Sequence, residues 1–236
     1  MTAFLSNIFG TVLDLIFGLT GSYGVAIVVM ALLIVLITYP LNLRQMQFSY
    51  KMRAITPMTE KIKEKYGNNQ EKINEETLKL WQRYGISPLA GCLPTLVQFP
   101  IFIAMFGLLR QPGSFGSNPT FLGINLVLPN AENTFWSLLK VNPVYALVPI
   151  LAVVTTALHT RMTAAKSTDQ SMKMMTIMMP MMMGYFSITL PSAIGIYWIA
   201  RNVFTMGQQY LFERHMEKHF VLEEGDSDDP KRGKAR

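Results

Sequence analysis

Apolar and polar positions in this chain are sorted into blocks. In 1–20, apolar residues fall in pairs, Phe4/Leu5, Ile8/Phe9, Val12/Leu13 and Ile16/Phe17, with Ser6, Asn7, Thr11 and Asp14 between them. That spacing makes one greasy helical face and predicts an amphipathic helix lying in the outer membrane interface. A signal peptide is the rival reading, but the stretch lacks the basic residues that would open one. Residues 21–43 are uncharged and long enough to cross about 30 Å of hydrocarbon, with Pro40 kinking the end. Comparable apolar stretches follow at 88–109, 143–160, 174–190 and 193–212, the last two separated by Pro191-Ser192.

The block at 44–86 is different. Phe48, Met52, Ile55, Thr59, Ile62 and Tyr66 recur at spacings of four and three. After Gly67-Asn68-Asn69 the same periodicity resumes at Ile73, Thr77, Leu80 and Tyr84. Two amphipathic helices around a short turn predict an antiparallel helical hairpin. Thr56 before Pro57 fits the cap of a restarted helix. Residues 110–142 are turn-rich, 161–173 form a loop, and 213–236 form a charged tail. The predicted fold is an all-α polytopic membrane protein with five transmembrane helices.

Charge orients these blocks. Half of the 236 residues are hydrophobic and 15% are charged, against about 25% in soluble domains. Nine Lys/Arg lie in 44–86 and three in 161–173, but two in 110–142 and none in 1–20. Basic loops stay cytoplasmic, which places the N-terminus outside and the C-terminus inside.

No enzymatic set is visible. The chain has no phosphate-binding glycine loop, and its single cysteine, Cys92, lies in an apolar run. His159, His215 and His219 fall at or beyond the ends of spans. His215 and His219 have a metal-compatible spacing without further ligands, so a solvated pair is favoured. No metal or other cofactor is implied, and nothing points to DNA. Eight of the 17 methionines lie between Met172 and Met183. Thioethers bind Cu(I), so a copper or small-solute transporter is the alternative function. A deformable surface for varied apolar partners and plain packing carry equal weight, well ahead of copper. Within the spans the polar residues are Thr38, Asn42, Gln98, Tyr197, Arg201 and Asn202. An arginine at mid-bilayer costs about 2.5–3.5 kcal/mol even on insertion scales. Arg201 shares a helical face with Tyr197, and no span contains an acidic residue to pair with it. A hydrated cavity is the expected surrounding, in preference to an arginine that only fixes packing.

These features resemble the YidC/Oxa/Albino membrane protein insertases over nearly the whole chain. The resemblance is carried by Tyr39-Pro40-Leu41, by Ile86-Ser87-Pro88-Leu89-Ala90-Gly91-Cys92-Leu93-Pro94 with Gln98-Phe99-Pro100-Ile101-Phe102, and by Leu190-Pro191-Ser192, Tyr197-Trp198 and Asn202. It implies an insertase and chaperone of the bacterial cytoplasmic membrane that hydrolyses no nucleotide. A groove open to cytoplasm and lipid would take the polar segment of a nascent membrane protein. Arg201, Tyr197, Gln98, Tyr39, Thr38, Asn42 and Asn202 would line it, while Trp198, Met178 and Met182 would pack against the substrate's apolar helix. The ribosome, a targeting factor and a Sec-type translocon are the implied further partners.

Three departures stand out. The bacterial family places an arginine in its first span, where this chain has Val35, and Arg201 occupies a position usually small or polar. The groove's charge is therefore expected to have moved from the first helix to the fifth at similar depth. Residues 221–236 carry five acidic and four basic residues, so a ribosome would meet the hairpin or the 161–173 loop sooner than the tail. The large outer domain of many relatives has no counterpart.

Overall fold

A computed structural model describes residues 2–109, 115, 119–127, 140, 143–163 and 170–219, with the side chains of 88–95 and a few others left aside. Eight helices and one minute sheet account for nearly all of these residues.

Helix α1 (Thr2–Thr20) packs along α2 (Tyr23–Ile37) and α5 (Pro88–Leu109). The single greasy face expected for 1–20 is in fact two. Leu13 and Ile16 enter the core, and the Ser6 hydroxyl donates to the Ala104 carbonyl at 2.9 Å. Phe4, Ile8, Leu15 and Leu19, on another face, stay exposed. At 100° per residue the paired pattern covers both arcs, so periodicity could not divide them.

The first expected span, 21–43, is broken before its end. Helix α2 stops at Ile37, and α3 (Tyr39–Tyr66) leaves at 68° to it. Pro40 has no N–H to continue the ladder, and Thr38 turns its hydroxyl back to the Ile34 carbonyl at 2.8 Å. Helix α3 then runs through Pro57 without restarting. Thr56 is no cap, because its hydroxyl donates to the Met52 carbonyl inside the same helix. Gly67, at φ 54°, makes the turn, and Asn69 caps α4 (Gln70–Arg83) by accepting from the Lys72 N–H.

Beyond α5, strands β1 (Thr120–Phe121) and β2 (Ile124–Asn125) form an antiparallel pair inside a segment expected to be only loop. Phe121 lies where a Cβ on Gly24 would be, 1.9 Å from its ring, so only glycine admits it. The Leu126 carbonyl accepts from the Ala193 N–H at 3.0 Å, joining this segment to the last helix. Helices α6 (Pro143–Thr163), α7 (Gln170–Thr189) and α8 (Ser192–His219) complete the chain. α8 continues past 212 to His219, and the rest of the tail lies outside the described residues; of the expected 161–173 loop both ends are helical, in α6 and α7, and 164–169 lie outside the described residues.

The core forms where α2 and α8 meet. Ala26, Ala31, Ala193 and Ala200 let the backbones approach, and Ile27, Met30, Ile194 and Tyr197 fill the seam. Small residues serve this purpose where lipid offers no hydrophobic drive for helix association. Among the described residues α6 alone is long and apolar enough to cross a membrane unaided. The bent α2–α3 pair passes the same test together, and Phe4–Thr20 and Gln98–Leu109 are shorter apolar helices.

Candidate functional site

Arg201 and Asn202 are neighbours on α8, and their side chains point to different helices. Asn202 is fully buried and turns to α6, where its Nδ2 donates to Thr156 Oγ1 at 2.9 Å and Thr155 Oγ1 at 3.4 Å. Trp198 Nε1 donates to the same Thr156 oxygen at 3.1 Å, and its ring meets Phe102 edge-on. Thr155 passes its own proton to the Leu151 carbonyl. The Trp198 and Asn202 donors on this side of α8 thus have acceptors, while Ser187 Oγ of α7 is buried without one.

Arg201 turns toward α5. Its Nε donates to Gln98 Oε1 at 3.1 Å, and its guanidinium lies 5.8 Å from the Trp198 ring centroid. No ion pair among the described residues includes it. Tyr197, one turn earlier and 1% exposed, approaches the Gln98 carboxamide. Yet the Tyr197 hydroxyl and Gln98 Nε2 are both buried and neither completes a hydrogen bond. A buried polar atom left in this state costs about 1–3 kcal/mol unless water reaches it. His159, near the end of α6, lies within electrostatic reach of Arg201.

The other expected groove residues are placed apart. Asn42 is buried on α3 and bonds Gln208 of α8. Thr38 bonds back within α2, and Tyr39 at the bend is largely exposed. Val35 is 1% exposed, and its carbonyl accepts from Gln208 Nε2 at 3.3 Å. The Val35 backbone is thus tied to Gln208, further along α8 than Arg201.

Met178 and Met182 are 55% and 39% exposed. With Met174, Ile177, Met181 and Tyr185 they form a continuous outward stripe on α7. They share no surface with Trp198. The methionine that does is Met183, which lines a small apolar pocket with Phe102, Phe186, Ser187, Ile194 and Trp198. Of the adjacent residues 182 and 183, only the second faces inward, and composition alone gives no phase for a run of methionines.

Sequence reasoning missed Thr155, Thr156, His159 and Gln208. Thr155-Thr156 is a polar pair inside an apolar stretch, and Gln208-Gln209 sits just before the charged tail. Both pairs were signals of contact between helices. No group of three or more His, Cys, Asp or Glu suited to a metal occurs among the described residues.

Comparison with known proteins gives a consistent answer. Residues 15–219 match the family model described as 60Kd inner membrane protein. The chain is 40% identical over 205 residues to a membrane protein insertase YidC of Caldanaerobacter subterraneus, covering 87% of this chain and 92% of that one. It is 34% identical to the membrane protein insertase MisCA of Bacillus subtilis, covering 83% and 72%. An active YidC insertase crystal structure superposes with a TM-score of 0.64 at 25% identity, covering 86% of this chain and 46% of that one.

Proposed function

The chain belongs to the 60Kd inner membrane protein family and is a multi-pass YidC-type membrane protein insertase; from this premise we propose that the space around Arg201, Gln98 and Tyr197 is the hydrated groove that receives the polar segment of a nascent membrane protein. The observation that carries this reading is the pair of buried, unpartnered atoms beside the arginine, Tyr197 Oη and Gln98 Nε2. Three polar groups held by one hydrogen bond suit water, and a polar segment can replace that water at little cost. Lowering the desolvation penalty of that segment is the insertase's work, and no bond is made or broken in it. The matched donors at Asn202 and Trp198 hold α8 to α6 while the substrate occupies the α5 side.

In this reading the chain has five spans, N-terminus outside. Of these α6 is long and apolar enough by itself and α2 is completed by its bend, while α5, α7 and α8 would span with the support of their neighbours. The α3–α4 hairpin and its basic residues face the cytoplasm, where a ribosome, a targeting factor or a Sec-type translocon would meet it. The α7 stripe carrying Met178 and Met182 faces lipid and the substrate's apolar helix.

The test is photocrosslinking from position 201 to a nascent single-span protein, together with insertion of that substrate followed by protease protection. Crosslinks at 201 and their absence at the oppositely directed position 202 are expected. Equal crosslinking at both would remove the assignment of the groove to the α5 side. Arg201→Ala/Val35→Arg is expected to remain as defective as Arg201→Ala, because Val35 is 1% exposed and leaves no room for an arginine side chain. Restored insertion would show instead that a positive charge suffices at either place.

A further inference from the structure

The bend between α2 and α3 is held from outside by one side chain. The last carbonyls of a helix lose their i+4 donors, and Val35 lies in the last turn of α2. Its carbonyl accepts from Gln208 Nε2 at 3.3 Å. The oxygen of the same carboxamide accepts from Asn42 Nδ2 on α3 at 3.1 Å. Asn42 is itself buried. Gln208 therefore grips both arms of a 68° bend at once. The carboxamide supplies a donor to one arm and an acceptor to the other from two separate atoms. Glutamate keeps the acceptor alone, and lysine the donor alone.

Further along α8, the Glu213 carboxylate takes Gln209 Nε2 at 2.6 Å and the Arg53 guanidinium of α3. The first contact lies within α8 and holds the carboxylate; the second joins α3, the root of the hairpin, to the helix that carries Arg201. We propose that Gln208 is a positioning residue that sets the angle of the α3–α4 hairpin against the groove helix, so that movement of the hairpin by a docking partner is transmitted to α8 through this bracket. The proposal deepens the insertase reading and rests on it, but its geometric half is measurable with no substrate present.

The experiment uses the full chain in lipid vesicles, with Cys92→Ser as background and spin labels at Lys72→Cys on the hairpin and Val203→Cys on α8. Both label positions are exposed. Double electron–electron resonance gives the distance distribution, and protease protection gives insertion. Gln208→Leu and Asn42→Leu are each expected to shift or broaden the distribution. Each should lower insertion about tenfold, the factor that two lost hydrogen bonds of ordinary strength would produce. Asn42→Gln/Gln208→Asn, which moves one methylene across the contact, is expected to bring both readouts back toward the parent. An unchanged distribution in the leucine variants overturns the proposal, and so does an insertion loss without a distance change. If Gln208→Leu fails to accumulate, Asn42→Leu decides by the same two criteria. A parent that inserts nothing would defeat the insertase reading, while the distance result would still judge the bracket.

Discussion

The two sides of α8 are built to different rules. Toward α6, Trp198 and Asn202 meet Thr155 and Thr156 in a closed set of hydrogen bonds. Toward α5, Arg201 and Tyr197 meet Gln98 with one bond made and two buried atoms left over. In a hydrocarbon surrounding, a satisfied network is glue and an unsatisfied one calls for water. Adjacent residues of one helix thus carry packing on one side and, in the proposed reading, function on the other.

The sharpest way to break this contrast is to exchange effects between neighbours. Arg201→Ala is expected to lower insertion about 10- to 100-fold, in line with the few kcal/mol attached to a mid-membrane charge, and to leave the melting temperature nearly unchanged. Asn202→Leu is expected to do the reverse. It strands polar groups facing α6 and destabilises by about 1–3 kcal/mol, read as a lower melting temperature, with insertion per folded molecule retained. If both variants lose insertion with equal loss of stability, the two sides do not differ.

Gln98→Leu should come next. It removes the one side-chain acceptor bonded to Arg201 among the described residues, but also a buried, unpartnered Nε2. Stability is expected to hold while insertion falls several-fold. Thr156→Val removes the oxygen that serves both Trp198 and Asn202. Its expected cost is about 1–2 kcal/mol, with a shift in Trp198 fluorescence marking where the loss occurs.

The smallest effect belongs to the hairpin surface. Lys79 binds Glu75 and Glu76 in full solvent, which lowers the Glu75 pKa and raises that of Lys79. A depressed carboxylate stabilises above its unfolded pKa and loses that contribution as pH falls through the folded value. A raised lysine stabilises below its unfolded pKa and loses the contribution as pH rises through the folded one. Between those limits the pair is intact but screened. Lys79→Ala should therefore leave melting and insertion at neutral pH unchanged within error, and a clear loss would mark Lys79 as a partner contact.

Much of this protein was legible from its chain. The apolar blocks, the basic block at 44–86 and the Gly67-Asn68-Asn69 turn announced helices and a hairpin, because hydropathy and glycine conformation act locally. Arg201 with Tyr197 and Gln98 was legible as well, since a polar residue in an apolar helix stands out whatever surrounds it. What was not legible depended on partners distant in sequence. Pro57 marks a helix boundary by local rules, yet α3 runs through it, held by packing and by the Asn42 and Arg53 contacts to α8. The methionine run gave no phase, and only packing against α6 and α8 turned Met183 inward and Met178 outward.

The sequence by itself determined a helical membrane protein, the place of its one mid-helix charge, and its family. The tertiary structure decided which neighbour each polar residue of α8 would face. That choice depends on whether an acceptor lies within about 3 Å, and such an acceptor comes from a helix many residues away. It separated Arg201 from Asn202 and gave Gln208 both arms of the bend.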